Sequence, residues 1–266
     1  MNGTIQCQAC GKKEAVYVIV EVGSAGVEFR CCADCWKKAK ALLHNNGTDV
    51  HEQLVACLRK SAPRVTDGES KSIREHMIDT ISAKIKMMSS PEFIDKIREI
   101  SDVLVMCLRH DGKIFTCGCG ACAGEAQHLV NELVGRCKLA ARRGFPAVCL
   151  GSNPALLDDF AFEDVFVRQV EALVSEHDVL MGISGTGCST AVVRALRRAS
   201  EQGAFTIGLC GGDGGDVLDS ARLALVVPSN EPQTVQECQT TAVHILCDLI
   251  EQALCSDGDS SEPVLA

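Results

Sequence analysis

The chain has 266 residues, 46% of them hydrophobic, which is enough apolar material for one large core and a small satellite and excludes disorder throughout. Its 35 acidic side chains outnumber 26 basic ones, and the net charge of −9 argues against a protein that grips nucleic-acid backbones by diffuse positive charge. Polar residues and a cysteine pair follow Met1 where a secretory leader would place a charged and then an apolar stretch. No apolar run approaches the ~20 residues of a membrane span, so a cytoplasmic protein without a membrane partner is expected.

The 17 cysteines are the compositional anomaly. An odd number spread through apolar runs, such as those around Cys107 and Cys149, predicts reduced, buried thiols in place of a disulfide framework. Only the first group has the spacing of metal ligands. Cys7 and Cys10 form one two-residue-spaced pair and Cys32 and Cys35 another, and Cys31 offers a neighbouring register. Between the pairs, residues 17–22 and 26–30 read as two strands around a glycine turn. Four thiolates at the two ends of a hairpin suit a closed tetrahedral Zn²⁺ site, and so short a segment has too little core to fold unaided. Residues 1–45 are thus expected to form a four-cysteine zinc module, with Trp36 opening a helix that runs to Leu43, and they resemble a treble-clef or zinc-ribbon unit. The module fits a purely structural metal or a docking element for a protein partner. Nucleic acid ranks last, because Lys37, Lys38 and Lys40 are offset by nearby acids.

Residues 46–70 are turn-rich and polar around a short helix carrying Leu54, Val55 and Leu58, and read as a helical linker. From Ser72 to Leu108, apolar residues recur at helical spacing, and Ser90-Pro91-Glu92 marks the capped start of a second helix. Beyond Asp111-Gly112 the pattern changes. Short apolar runs at 113–117, 146–150, 178–183, 205–210 and 223–227 alternate with helical stretches at 123–141, 161–174, 189–202 and 231–254. This predicts an α/β domain over residues 71–255, a five-stranded parallel, doubly wound sheet flanked by helices. Ligands of such sheets gather beyond the carboxyl ends of the strands, where the loops 118–122, 184–190 and 211–215 are rich in Gly, Ser and Thr. The loop from Ser184 to Thr190 runs straight into a helix, so its hydroxyls and free amides suit a phosphate. The acidic tail 256–266 is expected to be disordered.

Several runs within this domain carry a resemblance to a known family. They are Ala126-Gln127-His128-Leu129-Val130-Asn131-Glu132-Leu133-Val134-Gly135-Arg136, Phe162-Glu163-Asp164-Val165-Phe166, Gly182-Ile183-Ser184, Asp213-Gly214-Gly215, Val227-Pro228-Ser229, and Val235-Gln236-Glu237 leading to Val243-His244-Ile245-Leu246. From about Ile73 to Glu251 the chain resembles sugar isomerase (SIS) domains, and among them the phosphoheptose isomerases. The resemblance implies an active-site Zn²⁺ held by His128, Glu132, Gln236 and His244, with acid/base work on Glu132 and His244. Glu132 therefore takes both roles, ligand and base. It further implies phosphate contacts from Ser184, Thr186, Ser189 and Cys122, and sugar contacts from Asp159 and Arg136.

Locally, His128 and Glu132 stand at i and i+4 on one helical face, a spacing at which both side chains can reach one ion. Gln236 and His244 lie eight residues apart, ~12 Å along a helix, so they meet one ion by leaning inward or by coming from a neighbouring subunit. Two loops depart from the family. Gly118-Cys119-Gly120-Ala121-Cys122 replaces Gly-Asn-Gly-Gly-Ser, and Ser-Gly-Thr-Gly-Cys-Ser at 184–189 replaces Ser-Thr-Ser-Gly-Asn-Ser, with thiols where amide and hydroxyl groups stand. The activity so implied is aldose–ketose isomerisation of a phosphorylated sugar, sedoheptulose 7-phosphate to D-glycero-D-manno-heptose 7-phosphate, by a homotetramer with sites near subunit interfaces. The altered loops keep open a second expectation, a non-catalytic phosphosugar-binding regulator or scaffold that docks a protein such as the replication initiator.

Overall fold

In the computed structural model, residues 16–22, 25–31 and 68–255 are described, apart from 140–141 and 152–157. The four cysteines Cys7, Cys10, Cys32 and Cys35, the helices expected around 36–43 and Leu54–Leu58, most of the linker and the tail 256–266 lie outside the described residues. By compactness the chain divides between Ile85 and Lys86. In the first unit, β1 (Val16–Val22) and β2 (Ala25–Cys31) form the antiparallel hairpin expected between the two cysteine pairs, with Val16 opposite Cys31 and Val22 opposite Ala25.

A long helix, α1 (Gly68–Ser89), crosses the division and hands over to α2 (Pro91–Arg109). The break is local chemistry. Ser90 is extended and its hydroxyl accepts the Phe93 amide at 3.2 Å, while Pro91 supplies a fixed φ where no amide hydrogen is needed. The apolar face of α2, from Ile97 through Ile100 and Leu104 to Leu108, then lies in the core. Each such side chain contributes about 1.5–3 kcal/mol on burial.

The second unit is built on five strands, β3 (Ile114–Gly118), β4 (Ala147–Cys149), β5 (Val179–Ser184), β6 (Phe205–Gly211) and β7 (Leu223–Val227), all parallel in the spatial order β4-β3-β5-β6-β7. β3 and β5 are buried at every position, as strands covered on both faces must be. The remaining helices are α3 (Ala121–Val134), α4 (Val165–Leu173) after a 3-10 turn at Phe162–Asp164, α5 (Thr190–Glu201), α6 (Gly215–Ser220) and α7 (Pro232–Cys255). Two cores result. One joins α2, α3 and α7 to one sheet face through Leu104, Leu129, Leu133 and Leu246. The other joins α4, α5 and α6 to the opposite face through Phe166, Val192, Leu196 and Val217.

The expected helix at 123–141 stops at Val134, with Gly135 as its cap. The reason is a residue more than a hundred positions away. The buried Glu251 carboxylate takes the amides of Cys137, Lys138 and Leu139 at 3.0, 2.9 and 3.1 Å, and so draws this stretch out of helix. The short α6 was not anticipated, since a six-residue helix opening on Gly215 has no periodic signal. As expected, the eleven cysteines from Cys107 to Cys255 are free thiols, and Cys107, Cys117, Cys122, Cys210 and Cys247 are built into the two cores. Burial pushes the Cys107 thiol up to about 11, and those of Cys117 and Cys247 well above the usual thiol range. Among the described residues no helix is long and apolar enough to cross a membrane.

Candidate active site

The strand order places a topological switch at β3, from which the chain winds to β4 on one side and then to β5 on the other. A crevice opens where the connections diverge, beyond the carboxyl ends of β3 and β5. α3 starts at this point, directly after β3, and α7 packs along it on the same sheet face.

Core contacts fix which faces of the two helices meet. Ala126, Leu129 and Leu133 turn the inner face of α3 to the sheet, and Val243, Leu246 and Cys247 do so for α7. The flanking positions, His128 and Glu132 on α3 and His244 on α7, then face one another. The Nε2 atoms of His128 and His244 are 3.2 Å apart, with the rings edge to face at 82°, and His128 Nε2 lies 3.5 Å from Glu132 Oε1. One donor atom from each of the three residues falls within 4.8 Å of the others. A tetrahedral ion with ~2.0–2.1 Å bonds needs its ligand atoms ~3.3 Å apart. The two shortest separations match that edge, so two imidazoles and a carboxylate here fit a Zn²⁺-type cation. Both histidines and the glutamate belong to one chain. Gln236 stands half-buried on α7, two turns before His244.

Surrounding groups hold this arrangement. The Arg142 guanidinium, 5% exposed, donates to the Glu132 and Leu133 carbonyls at 2.6 and 2.8 Å and to Glu251 Oε1 on α7 at 2.5 Å. It therefore ties the end of α3 to α7. Burial works to raise the Glu251 carboxyl, but Arg142 and the three backbone amides outweigh it and hold the group below its ordinary range. Burial, and then the hydrogen bond to the Glu132 carboxylate, push the Cys137 thiol up to about 11, so it stays protonated and donates to Glu132. One turn before His128, Glu125 is 7% exposed; its Oε1 lies 2.8 Å from the Thr240 hydroxyl of α7 and its Oε2 has no hydrogen-bond partner. Arg142, Glu125 and Thr240 were not anticipated from sequence, and no local spacing marks them.

The other expected contacts divide. Ser184 is the buried last residue of β5, Thr186 is exposed, and Ser189 occupies the N-cap of α5 with no side-chain capping bond. The loop they share is locked onto the next one. Gly187, at φ +73°, sits so close to Gly214 that a Cβ would stand 2.1 Å from its carbonyl oxygen, and the Gly187 carbonyl accepts the Val217 amide at 2.9 Å. Cys122, expected to touch phosphate, packs at the edge of the core with its sulfur 4.0 Å from Gln239 Oε1. A thiol packs there as a small apolar group, and burial raises it above the usual range. Arg136 and Asp159 are exposed, the first just past the cap of α3 and the second before the 3-10 turn, and neither belongs to the converging donor group. A cavity of about 640 Å³ at the β7 edge, lined by Phe93, Arg222 and Val226 among others, shares no residue with that group.

Comparison with known proteins identifies the family and the fold. Residues 77–211 match the SIS domain family. A phosphoheptose isomerase of Geotalea daltonii is 42% identical over 188 residues, covering 67% of this chain and 97% of the relative, and one of Aquifex aeolicus is 38% identical over 178 residues, covering 65% and 93%. The solved structure of a phosphoheptose isomerase from Francisella tularensis superposes with a TM-score of 0.66 at 29% identity, covering 70% of this chain and all of that one. Its counterpart from Neisseria gonorrhoeae gives 0.64 at 30% identity, covering 69% and 98%.

Proposed function

Because the chain belongs to the SIS domain family, among the phosphoheptose isomerases, we propose that it interconverts sedoheptulose 7-phosphate and D-glycero-D-manno-heptose 7-phosphate. The observation that carries this reading is the convergence of His128, Glu132 and His244 beside the crevice of the doubly wound sheet.

The reaction moves one proton between adjacent carbons and exchanges a carbonyl with a hydroxyl through an enediol. It needs a base at the carbon, an acid/base at the oxygens and a counter-charge for the developing enediolate. Glu132, its side chain 22% exposed, takes the proton from the carbon beside the carbonyl and returns it to the neighbouring carbon. His244, the more exposed of the two histidines, relays a proton between the two oxygens. His128, Glu132, Gln236 and His244 would hold Zn²⁺, which when bound supplies Lewis-acid polarisation of the sugar oxygens. Thr186 and Ser189, with the amides opening the twelve-residue α5, offer hydroxyl and N–H donors and a positive helix end to the sugar's phosphate.

The same reading extends to assembly and to the N-terminal segment. Ile73, Met77 and Ile81 are exposed at four-residue spacing along α1, an apolar stripe suited to cover by another copy in a homotetramer. Cys7, Cys10, Cys32 and Cys35 are assigned to a second, structural Zn²⁺.

A coupled assay with sedoheptulose 7-phosphate tests the activity. Glu132→Gln and His244→Ala should each lower kcat by ~10²–10⁴ while the protein stays folded. Turnover insensitive to both changes contradicts the assignment. Absence of turnover by the unaltered protein with any divalent ion favours a phosphosugar-binding scaffold instead.

A further inference from the structure

Glu125 is the buried polar group that the proposed chemistry leaves unused. The residue is 7% exposed on the face of α3 that meets α7, and its two carboxylate oxygens are unequal. Oε1 receives the Thr240 hydroxyl at 2.8 Å. Oε2 is buried without a hydrogen-bond partner, the state that costs most for a charged acceptor. Nδ1 of His128, one helical turn on, lies 3.9 Å from it. That nitrogen is on the side of the ring opposite Nε2, which faces His244 and Glu132.

We infer that Glu125 is a positioning residue for the cation site: braced by Thr240, it receives the Nδ1 hydrogen of His128 and so fixes the ring with its Nε2 lone pair toward the ion. At 3.9 Å the pair is longer than a hydrogen bond, and the assigned role requires the two groups to draw together by ~1 Å. Closing it satisfies the orphaned oxygen and selects one tautomer in a single step. An imidazole ligand held by a carboxylate through its other nitrogen is a better oriented and more basic donor. Thr240 brings the second helix into the arrangement. It lies on α7 one turn before His244, and its hydroxyl is also 3.0 Å from the Gln236 carbonyl. One contact thus spans both ligand-bearing helices. Cys122, a thiol near Glu125, donates toward Gln239 and leaves Oε2 to the imidazole.

This inference rests on the reading of His128, Glu132 and His244 as a cation site, and its test separates the two. Zn²⁺ affinity of the full chain is measured by competition with a chromogenic chelator, with a His128→Ala/His244→Ala variant giving the contribution of all other sites. Glu125→Gln should bind Zn²⁺ ~10–100-fold more weakly at the difference site, with partial recovery in Glu125→Asp. The metal-free Glu125→Gln protein should unfold at a temperature no lower than the unaltered protein, since a buried oxygen without a partner has been neutralised. In long-range ¹H–¹⁵N spectra of the Zn²⁺-loaded protein, His128 should carry its hydrogen on Nδ1. Thr240→Val, which releases Oε1 without touching the ligands, should weaken binding several-fold and serves if Glu125→Gln does not fold. Affinity within twofold of the unaltered protein in the folded variants overturns the inference, as does a loss of metal-free stability that parallels the loss of affinity. If the double histidine variant binds as much Zn²⁺ as the unaltered chain, the cation site itself fails and the role of Glu125 falls with it.

Discussion

Replacing Glu251 by glutamine should be among the most damaging single-atom changes in the protein. The carboxylate is 2% exposed and accepts four hydrogen bonds, three from the backbone of residues 137–139 and one from Arg142, itself 5% exposed. An amide offers one acceptor oxygen in place of two and carries no charge, so at least one buried donor is stranded beside an unpaired guanidinium. Breaking a buried pair from one side costs about 3–5 kcal/mol. Set against a total stability of about 5–15 kcal/mol, that is a fifth or more of the whole. At about 2–4 °C per kcal/mol for a domain of this size, the midpoint should fall by ~6–20 °C. Urea unfolding of the unaltered and Glu251→Gln proteins reads the loss directly, and Arg142→Met/Glu251→Leu should cost less than the sum of its single changes. The sign with pH follows. The folded-state carboxyl is held below its ordinary value of 4.5, so its contribution is complete above that value and is lost as pH falls through the lower, folded one. A cost under ~1 kcal/mol, with no extra loss on acidification, would refute this account of the clamp.

Two glycines should respond in opposite directions. Gly187→Ala drives a Cβ to 2.1 Å from the Gly214 carbonyl in a left-handed backbone, and should cost at least ~2 kcal/mol and raise KM for the phosphorylated sugar. Gly124→Ala meets nothing within 4 Å at the fourth position of α3 and should stabilise by ~0.5–1 kcal/mol, both being read by thermal melts. Mass photometry of the full chain should give a tetramer, and a monomer would contradict the covering role given to the α1 stripe. Metal analysis should find two Zn²⁺ per chain, one lost on replacing Cys7, Cys10, Cys32 and Cys35 by serine and the other on replacing His128 and His244 by alanine. Loss of both ions from either change would mean the sites are not independent.

The five strands were legible because Gly and Pro punctuate short, largely apolar runs, and β7 falls on the expected residues 223–227. Ser90-Pro91 announced its own helix start, since a cap is a local interaction. The end of α3 was not legible, because the group that stops it is Glu251, brought there only by the packing of α7. The candidate ligand residues on α3 show as an i, i+4 pair, but their union with His244 was readable only through resemblance to a family, as nothing in spacing says which faces of α3 and α7 meet. Glu125 and Arg142 illustrate the same gap. Charged residues at these positions read as solvated surface until a second helix covers them. Cys122 is a different case, since a sequence match to a phosphate-binding serine does not reveal how far the thiol packs into the core.

The central claim, that His128, Glu132 and His244 converge on one cation, is tested most directly by an anomalous difference map at the zinc edge from crystals of the full chain grown with Zn²⁺. A peak ~2.0–2.2 Å from Nε2 of both histidines and from a Glu132 oxygen is the expected result. A map with zinc elsewhere and no peak among these three side chains would contradict it.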